Sequence, residues 1–102
     1  MPIIEMVQFK LNDGVSDADF LAAAAEAQSG FLDGYEGFIR RELWQNADGL
    51  WVDVVYWEST EAAESSLKQF VSHPSTQRFM GMIRPDSTTV AHYTHAKSFG
   101  GS

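Results

Sequence analysis

Trp51-Val52-Asp53-Val54-Val55-Tyr56-Trp57-Glu58-Ser59-Thr60-Glu61-Ala62-Ala63-Glu64-Ser65-Ser66-Leu67-Lys68-Gln69-Phe70 is the stretch whose reading decides the fold. Its first half alternates as a strand does, because successive strand side chains face opposite sides. Leu50, Val52, Val54 and Tyr56 point one way, and Trp51, Asp53, Val55 and Trp57 point the other. Both sets are mainly apolar, so both faces of this strand need cover. A sheet with one wet face would alternate apolar and polar residues more cleanly. Ser59 or Thr60 then caps a helix, with Glu61 and Glu64 in its first turns, where the helix dipole favours negative charge. Ala63, Leu67 and Phe70 recur at helical spacing and mark its buried stripe. The unit is strand, cap, helix, and one carboxylate, Asp53, interrupts an aromatic face.

Upstream lies Asn46-Ala47-Asp48-Gly49, a hairpin connection, preceded by a strand over Phe38–Gln45. The loop length sets which residues of that strand face Asp53. A two- or four-residue loop brings Arg40, Glu42 and Trp44 there, and a three-residue loop brings Ile39, Arg41 and Leu43. One arginine of the Arg40/Arg41 pair therefore shares Asp53's face, and Arg40 is the one preferred. Gly34 and Gly37 close the unit before it. Ser16 is an N-cap with Asp19 three residues on, opening a helix from Asp17 to about Leu32. Phe20, Ala24, Ala27 and Phe31 form its stripe. The small side chains of Ala22–Ala25 allow either close packing on a sheet or room for a ligand. Ile3–Leu11 is a first strand, with Val7, Phe9 and Leu11 towards the core beside Ile3 and Glu5, and Asn12-Asp13-Gly14 ends it.

Downstream, Ser72 or His73 precedes Pro74, which suits the first turn of a short helix with Phe79, Met82 and Ile83 on its apolar side. Pro85-Asp86 ends it. Asp86–His95 is a last strand, and Phe99–Ser102 a loose tail. The expected organisation is one domain over residues 1–96 and a flexible tail over 97–102. The order βαββαβ, with right-handed crossovers, gives a ferredoxin-like α+β fold with a four-stranded antiparallel sheet and helices on one face. The other face still carries Leu50, Val52, Val54 and Tyr56. A bare patch of that kind is avoided by soluble monomers, so a homodimer packed sheet against sheet is expected.

Composition narrows the function classes. The chain has 102 residues, 44% of them hydrophobic, which fits one globular domain. Seven Lys and Arg against 14 Asp and Glu give a net charge of −7. That balance argues against a nucleic-acid groove or an anionic membrane surface. Cysteine is absent, which excludes disulfides, thiolate metal sites and a Cys nucleophile. No apolar run reaches about 18 residues, and the expected location is the cytoplasm.

Among chemistry-bearing residues, Asp53 stands out. A carboxylate on a covered aromatic face is costly unless it is paired or protonated. It can be a structural partner of an Arg or His, or a general base for a phenolic proton. Trp51 and Trp57 offer flat walls for aromatic ligands or serve as ordinary core. His92 and His95 are three apart in a strand and face opposite sides, so they do not chelate one metal together. His92 alone is a proton acceptor or a hydrogen-bonded core residue. His73 suits a cap or loop. Glu5, on the inner face, can pair with Arg40 or with His92. No metal site is indicated.

The run Val55-Tyr56-Trp57-Glu58-Ser59, then Glu61-Ala62, Leu67, Pro74 and Phe79, with Gly37-Phe38 opening the second strand, resembles the dimeric α+β barrel superfamily. Within it, the chain is similar to the antibiotic biosynthesis monooxygenase-like domains over residues 3–95. The resemblance implies two sheets packed as a dimeric α+β barrel. In the cofactor-free, quinone-forming members, the substrate lies between sheet and helices, lined by a Trp ending the third strand and an Asn four residues before it. Trp57 matches that Trp, and Asp53 stands at the Asn position. A cavity Tyr of the family falls at Ala63 and is missing. The haem-degrading branch uses an Asn, a Trp and a His that fall at Val7, Ser66 and about Phe79 or Met80, so haem degradation is not implied.

The resemblance implies a cofactor-independent monooxygenase of a small aromatic or quinol-type substrate. The alternative is a non-catalytic dimeric protein of small-ligand-binding or stress-response type. The expected catalytic residues are Asp53, Trp57 and His92. Trp51, Phe20, Arg40, Glu5 and Phe79 are expected to contact substrate. No cofactor is implied.

Overall fold

The computed structural model describes residues 2–101. Met1 and Ser102, at the outer ends of the expected domain and tail, lie outside the described residues. Strand β1 is Ile3–Phe9, helix α1 Asp17–Gly30, strand β2 Phe38–Gln45 and strand β3 Trp51–Trp57. Helix α2 is Thr60–Phe70, the short helix α3 Gln77–Met82 and strand β4 Thr89–Thr94. The strands form one antiparallel sheet in the order β2-β3-β1-β4. This is the ferredoxin-like α+β arrangement that the element order dictates. No helix among the described residues is long and apolar enough to cross a membrane.

The caps form where short polar side chains precede apolar periodicity. Ser16 Oγ accepts the Asp19 N–H at 3.1 Å, and Ser59 Oγ accepts the Ala62 N–H at 3.1 Å. Such caps contribute about 1 kcal/mol each. Gly37, at φ +91°, opens β2 where a Cβ would sit 2.7 Å from the Ala62 side chain. Its carbonyl accepts the Glu58 N–H at 2.9 Å, which ties the start of β2 to the strand–helix junction.

The strand registers sort the residues into two faces. On the helix side stand Ile3, Glu5, Val7 and Phe9 of β1, Trp51, Asp53, Val55 and Trp57 of β3, and Phe38, Arg41 and Leu43 of β2. Val90 and His92 of β4 join them. On the other side stand Ile4, Met6, Val52, Val54, Tyr56, Arg40, Glu42, Trp44 and Tyr93. Arg41, not Arg40, therefore faces Asp53. The connection from Gln45 to Trp51 holds five residues, Asn46–Leu50, rather than two or four. Asn46 makes it so: its Oδ1 accepts the N–H groups of Asp48 at 3.0 Å and Leu50 at 2.9 Å, and its own N–H goes to the Leu50 carbonyl. Leu50 consequently belongs to the turn and not to β3. At the other end of β2 the register shifts between Phe38 and Arg40, which leaves Ile39 as a bulge residue.

Two core clusters lie between sheet and helices. One gathers Phe9, Phe20, Ala23, Ala24, Ala27, Trp51 and Phe79, and the other Ile3, Phe31, Leu32, Val55, Trp57 and Ala63. Several boundaries differ from the sequence reading. Helix α1 ends at Gly30, and a 3-10 turn over Leu32–Gly34 follows. β1 ends at Phe9, with Leu11 making an isolated bridge to Ile83. β4 begins at Thr89, because Pro85–Ser87 is a 3-10 turn whose Ser87 Oγ accepts the Lys10 N–H at 2.9 Å. Residues 95–101 form no helix or strand.

Candidate functional site

A cavity of about 410 Å³ opens where the two clusters meet. Its floor is the helix-side face of β1 and β3, with Glu5, Val7, Phe9, Asp53, Val55 and Trp57. Its roof comes from Ser66, Leu67 and Phe70 of α2 and Phe79 and Met80 of α3. Val71, Met80 and Val90 are partly exposed and form an apolar rim at the β4 side. The corner between α2 and α3 holds the roof. Thr76 Oγ1 donates to the carbonyls of Phe70 and His73, and Gln77 Nε2 donates to those of Val71 at 3.1 Å and His73 at 2.9 Å. His73 caps this turn, its Nδ1 accepting the Ser75 N–H at 3.2 Å.

The polar part of the wall consists of two pairs. Arg41 grips Asp53 through both carboxylate oxygens, Nε to Oδ1 at 3.0 Å and Nη2 to Oδ2 at 2.9 Å. Arg41 Nη1 donates to the Ala24 carbonyl at 3.0 Å, and its guanidinium lies 5.1 Å from the Phe79 ring centre. The small side chains of α1 allow this backbone approach. The pair is nearly dry, with side-chain exposures of 6% and 9%. The second pair is Glu5 with His92, Oε2 to Nε2 at 3.0 Å. Burial pushes the Glu5 carboxyl above its ordinary value of 4.5; hydrogen bonding and charge attraction from His92 oppose this, and Asp53 adds to it. The indole N–H of Trp57, which also lines the cavity, is buried and has no hydrogen-bond partner among the described residues. Among the described residues no three His, Asp or Glu side chains gather closely enough to hold a metal ion.

Of the residues singled out in the sequence, Asp53, Trp57, Glu5 and Phe79 line this cavity, and His92 reaches it through Glu5. Besides His92, three do not line it. Phe20 and Trp51 pack on each other at 4.8 Å between ring centres, with Phe20 also 5.1 Å from Phe79, so they fill the core beside the cavity. Arg40 lies on the opposite face, 4.4 Å from the Tyr56 ring centre and 3.3 Å from Glu42. Sequence reasoning preferred Arg40 and kept Arg41 as the alternative for an odd-numbered loop, and it did not name Ser66, Phe70 or Val90 as lining. The last had a usable signal: Val90 and His92 are two apart in a strand and share a face.

A family model described as antibiotic biosynthesis monooxygenase matches residues 2–81. A comparison with curated proteins gives no match. Among solved structures, a single-residue mutant of SnoaB, a cofactor-independent oxygenase from Streptomyces nogalater, is 17% identical with a TM-score of 0.76, and the match covers 98% of each chain. Rv0793 from Mycobacterium tuberculosis is 15% identical with a TM-score of 0.67, covering 98% of this chain and 100% of its own. A dimeric protein of unknown function and ferredoxin-like fold from Bacteroides fragilis is 13% identical with a TM-score of 0.59, covering 92% and 96%. At these identities the structures speak for the fold alone.

Proposed function

The chain belongs to the antibiotic biosynthesis monooxygenase family, and on that premise we propose that it is a cofactor-independent monooxygenase whose small aromatic or quinol-type substrate lies in the cavity between sheet and helices. The observation that carries this reading is an apolar cavity of about 410 Å³ whose wall holds a buried indole N–H without a partner. A volume of that order suits a fused two- or three-ring molecule. Phe70, Phe79 and Trp57 supply ring faces and edges for it. The Trp57 N–H would donate to a carbonyl or hydroxyl oxygen of the substrate. Arg41 binds both oxygens of Asp53, which turns this carboxylate towards the guanidinium rather than towards a substrate. Asp53 instead fixes the guanidinium charge beside the cavity, where it favours an ionised, electron-rich ring.

Such a ring can reduce O2 directly. For an anthrone, the methylene carbon loses two hydrogens and gains one oxygen atom, and the second oxygen leaves as water. The match to the antibiotic biosynthesis monooxygenase family supports this reaction class. The second reading, binding without turnover, is favoured by the tie between Arg41 and Asp53 and by Ala63 at the position of the family's tyrosine. The experiment is oxygen uptake with a panel of hydroxylated anthrones and quinols. Turnover by the wild type, with kcat at least tenfold lower in Trp57→Phe, supports the oxygenase. Binding seen by tryptophan quenching with no oxygen uptake supports the second reading.

The assembly belongs to the same proposal. The helices cover one face of the sheet only, and Val52, Val54, Tyr56, Ile4 and Met6 remain on the other. A second copy packed there by two-fold symmetry completes a dimeric barrel, as the dimeric relative of ferredoxin-like fold suggests.

A further inference from the structure

Arg41's hold on Asp53 leaves the cavity with a second carboxylate, Glu5, that is differently placed. Glu5 is 6% exposed and lines the cavity. Only its Oε2 is hydrogen-bonded, to His92 Nε2 at 3.0 Å; Oε1 has no hydrogen bond among the described residues. His92 does not line the cavity, and its side chain is 32% exposed at the outer edge of the sheet, on β4. The two side chains thus span from enclosed space to solvent. The other charged groups of the cavity wall are Asp53 on β3 and Arg41 on β2, already paired with each other. The lining residues of α2 and α3 are neutral: Ser66, Leu67, Phe70, Phe79 and Met80.

We propose that Glu5 is the catalytic base of the cavity, taking the proton on its free Oε1, and that His92 positions its carboxylate from β4. This rests on the reading of the cavity as a substrate site and names the substrate class more closely: a neutral molecule with an acidic phenolic hydroxyl or activated C–H, and no carboxylate of its own. Oε1 has room for one proton while the His92 ring holds Oε2. The substrate's O–H or C–H bond breaks, its electron pair stays on the ring, and the proton goes to Oε1, leaving Glu5 a neutral carboxylic acid. The proton is given up to the oxygen that leaves as water, so Glu5 is ionised again after each turnover. Glu5 passes from one negative charge to none as the substrate gains one, so the wall never faces two added charges. A carboxylate-bearing ligand would meet Glu5 and Asp53 with only Arg41 to offset them, and is disfavoured. Burial supports this role, since it raises the proton affinity of Glu5 towards the range in which a general base works.

The test has two readouts. The first needs no turnover: para-nitrophenol is added to wild type near its own pKa, and absorbance reports whether the bound probe is phenol or phenolate. Wild type is expected to bind it as phenolate, and Glu5→Gln as neutral phenol. The second is oxygen uptake against pH with an anthrone. Glu5→Gln is expected to lower kcat at least a hundredfold with KM within about threefold, and His92→Gln to move the acidic limb of the profile. Circular dichroism checks that both variants fold. Phenolate binding without oxygen uptake keeps the base and overturns only the oxygenase. Neutral phenol bound by wild type, or Glu5→Gln within threefold of wild-type kcat, overturns the base even where oxygen is consumed. No binding at all overturns both.

Discussion

The two faces of this sheet are both apolar and have opposite fates. On the helix side the strands carry four charged or titratable groups in two pairs around a cavity: Arg41 with Asp53, both buried, and buried Glu5 with the part-exposed His92. On the bare side the charged residues Arg40 and Glu42 sit at the β2 edge, and the centre is Ile4, Met6, Val52 and Val54. Arg40 and Arg41 are neighbours in sequence. One keeps a 59% exposed side chain over Tyr56, and the other is 6% exposed and gripped by Asp53. The difference teaches that apolar cover alone does not make a site. The helix face pays for its buried charges with exact partners and keeps space beside them, whereas the bare face has apolar surface that asks only for another surface.

The sharpest way to break the contrast is to exchange the two arginines' roles. Arg41→Met leaves Asp53 buried and unpaired, which costs about 4 kcal/mol. Urea unfolding followed by circular dichroism should show that loss. Arg40→Met should leave the midpoint close to wild type, since its pairing is exposed. Equal losses in the two variants would abolish the distinction between the faces. The next largest effect probes the bare face. Val54, at the centre of that face, is already 8% exposed within one chain, and a second copy would cover it further. Val54→Asp should cost about 3 kcal/mol and shift a dimer to smaller species. Sedimentation across a dilution series reads this, and a wild type that stays folded and monomeric at micromolar concentration contradicts the dimer.

The smallest effect concerns Glu5 and has a definite sign. Its folded proton affinity is raised above the ordinary 4.5, mainly by burial. The folded chain therefore binds more protons than the unfolded one just above that value, and its stability is lost as pH rises through the folded pKa. Glu5→Gln removes this term. The variant should gain on wild type as pH rises above 4.5, in thermal melts taken at a series of pH values. A difference between the two that does not change with pH would show that Glu5 titrates alike in folded and unfolded chains.

Much of this was legible in the sequence. Period-two alternation in residues 51–57 and helical spacing in residues 60–70 gave the strand–helix unit, and the order of elements gave the sheet. Asp53, Glu5 and His92 were recognisable because they are polar residues at inward positions of apolar strands. The pairing was not legible. It depended on whether the hairpin held an even or an odd number of residues, and Asn46 settles that through its side-chain hydrogen bonds, which composition does not reveal. Phe20 and Trp51 looked like walls for a ligand. The alanines of α1 let that helix come close, and the two rings meet each other instead. The cavity itself lay beyond sequence reasoning, because its volume is set by how far α2 and α3 stand from the sheet.

Binding of a small aromatic molecule in the space between sheet and helices underlies every role proposed for Trp57 and Glu5. Its most direct test is a crystal structure grown with a hydroxylated anthraquinone, a stable relative of the oxidised product. The predicted result is a ring system among Trp57, Phe70 and Phe79, with a hydroxyl oxygen within hydrogen-bond reach of Glu5. A cavity that stays closed over its own side chains, or a ligand seated on the face of Val52 and Val54, would contradict it.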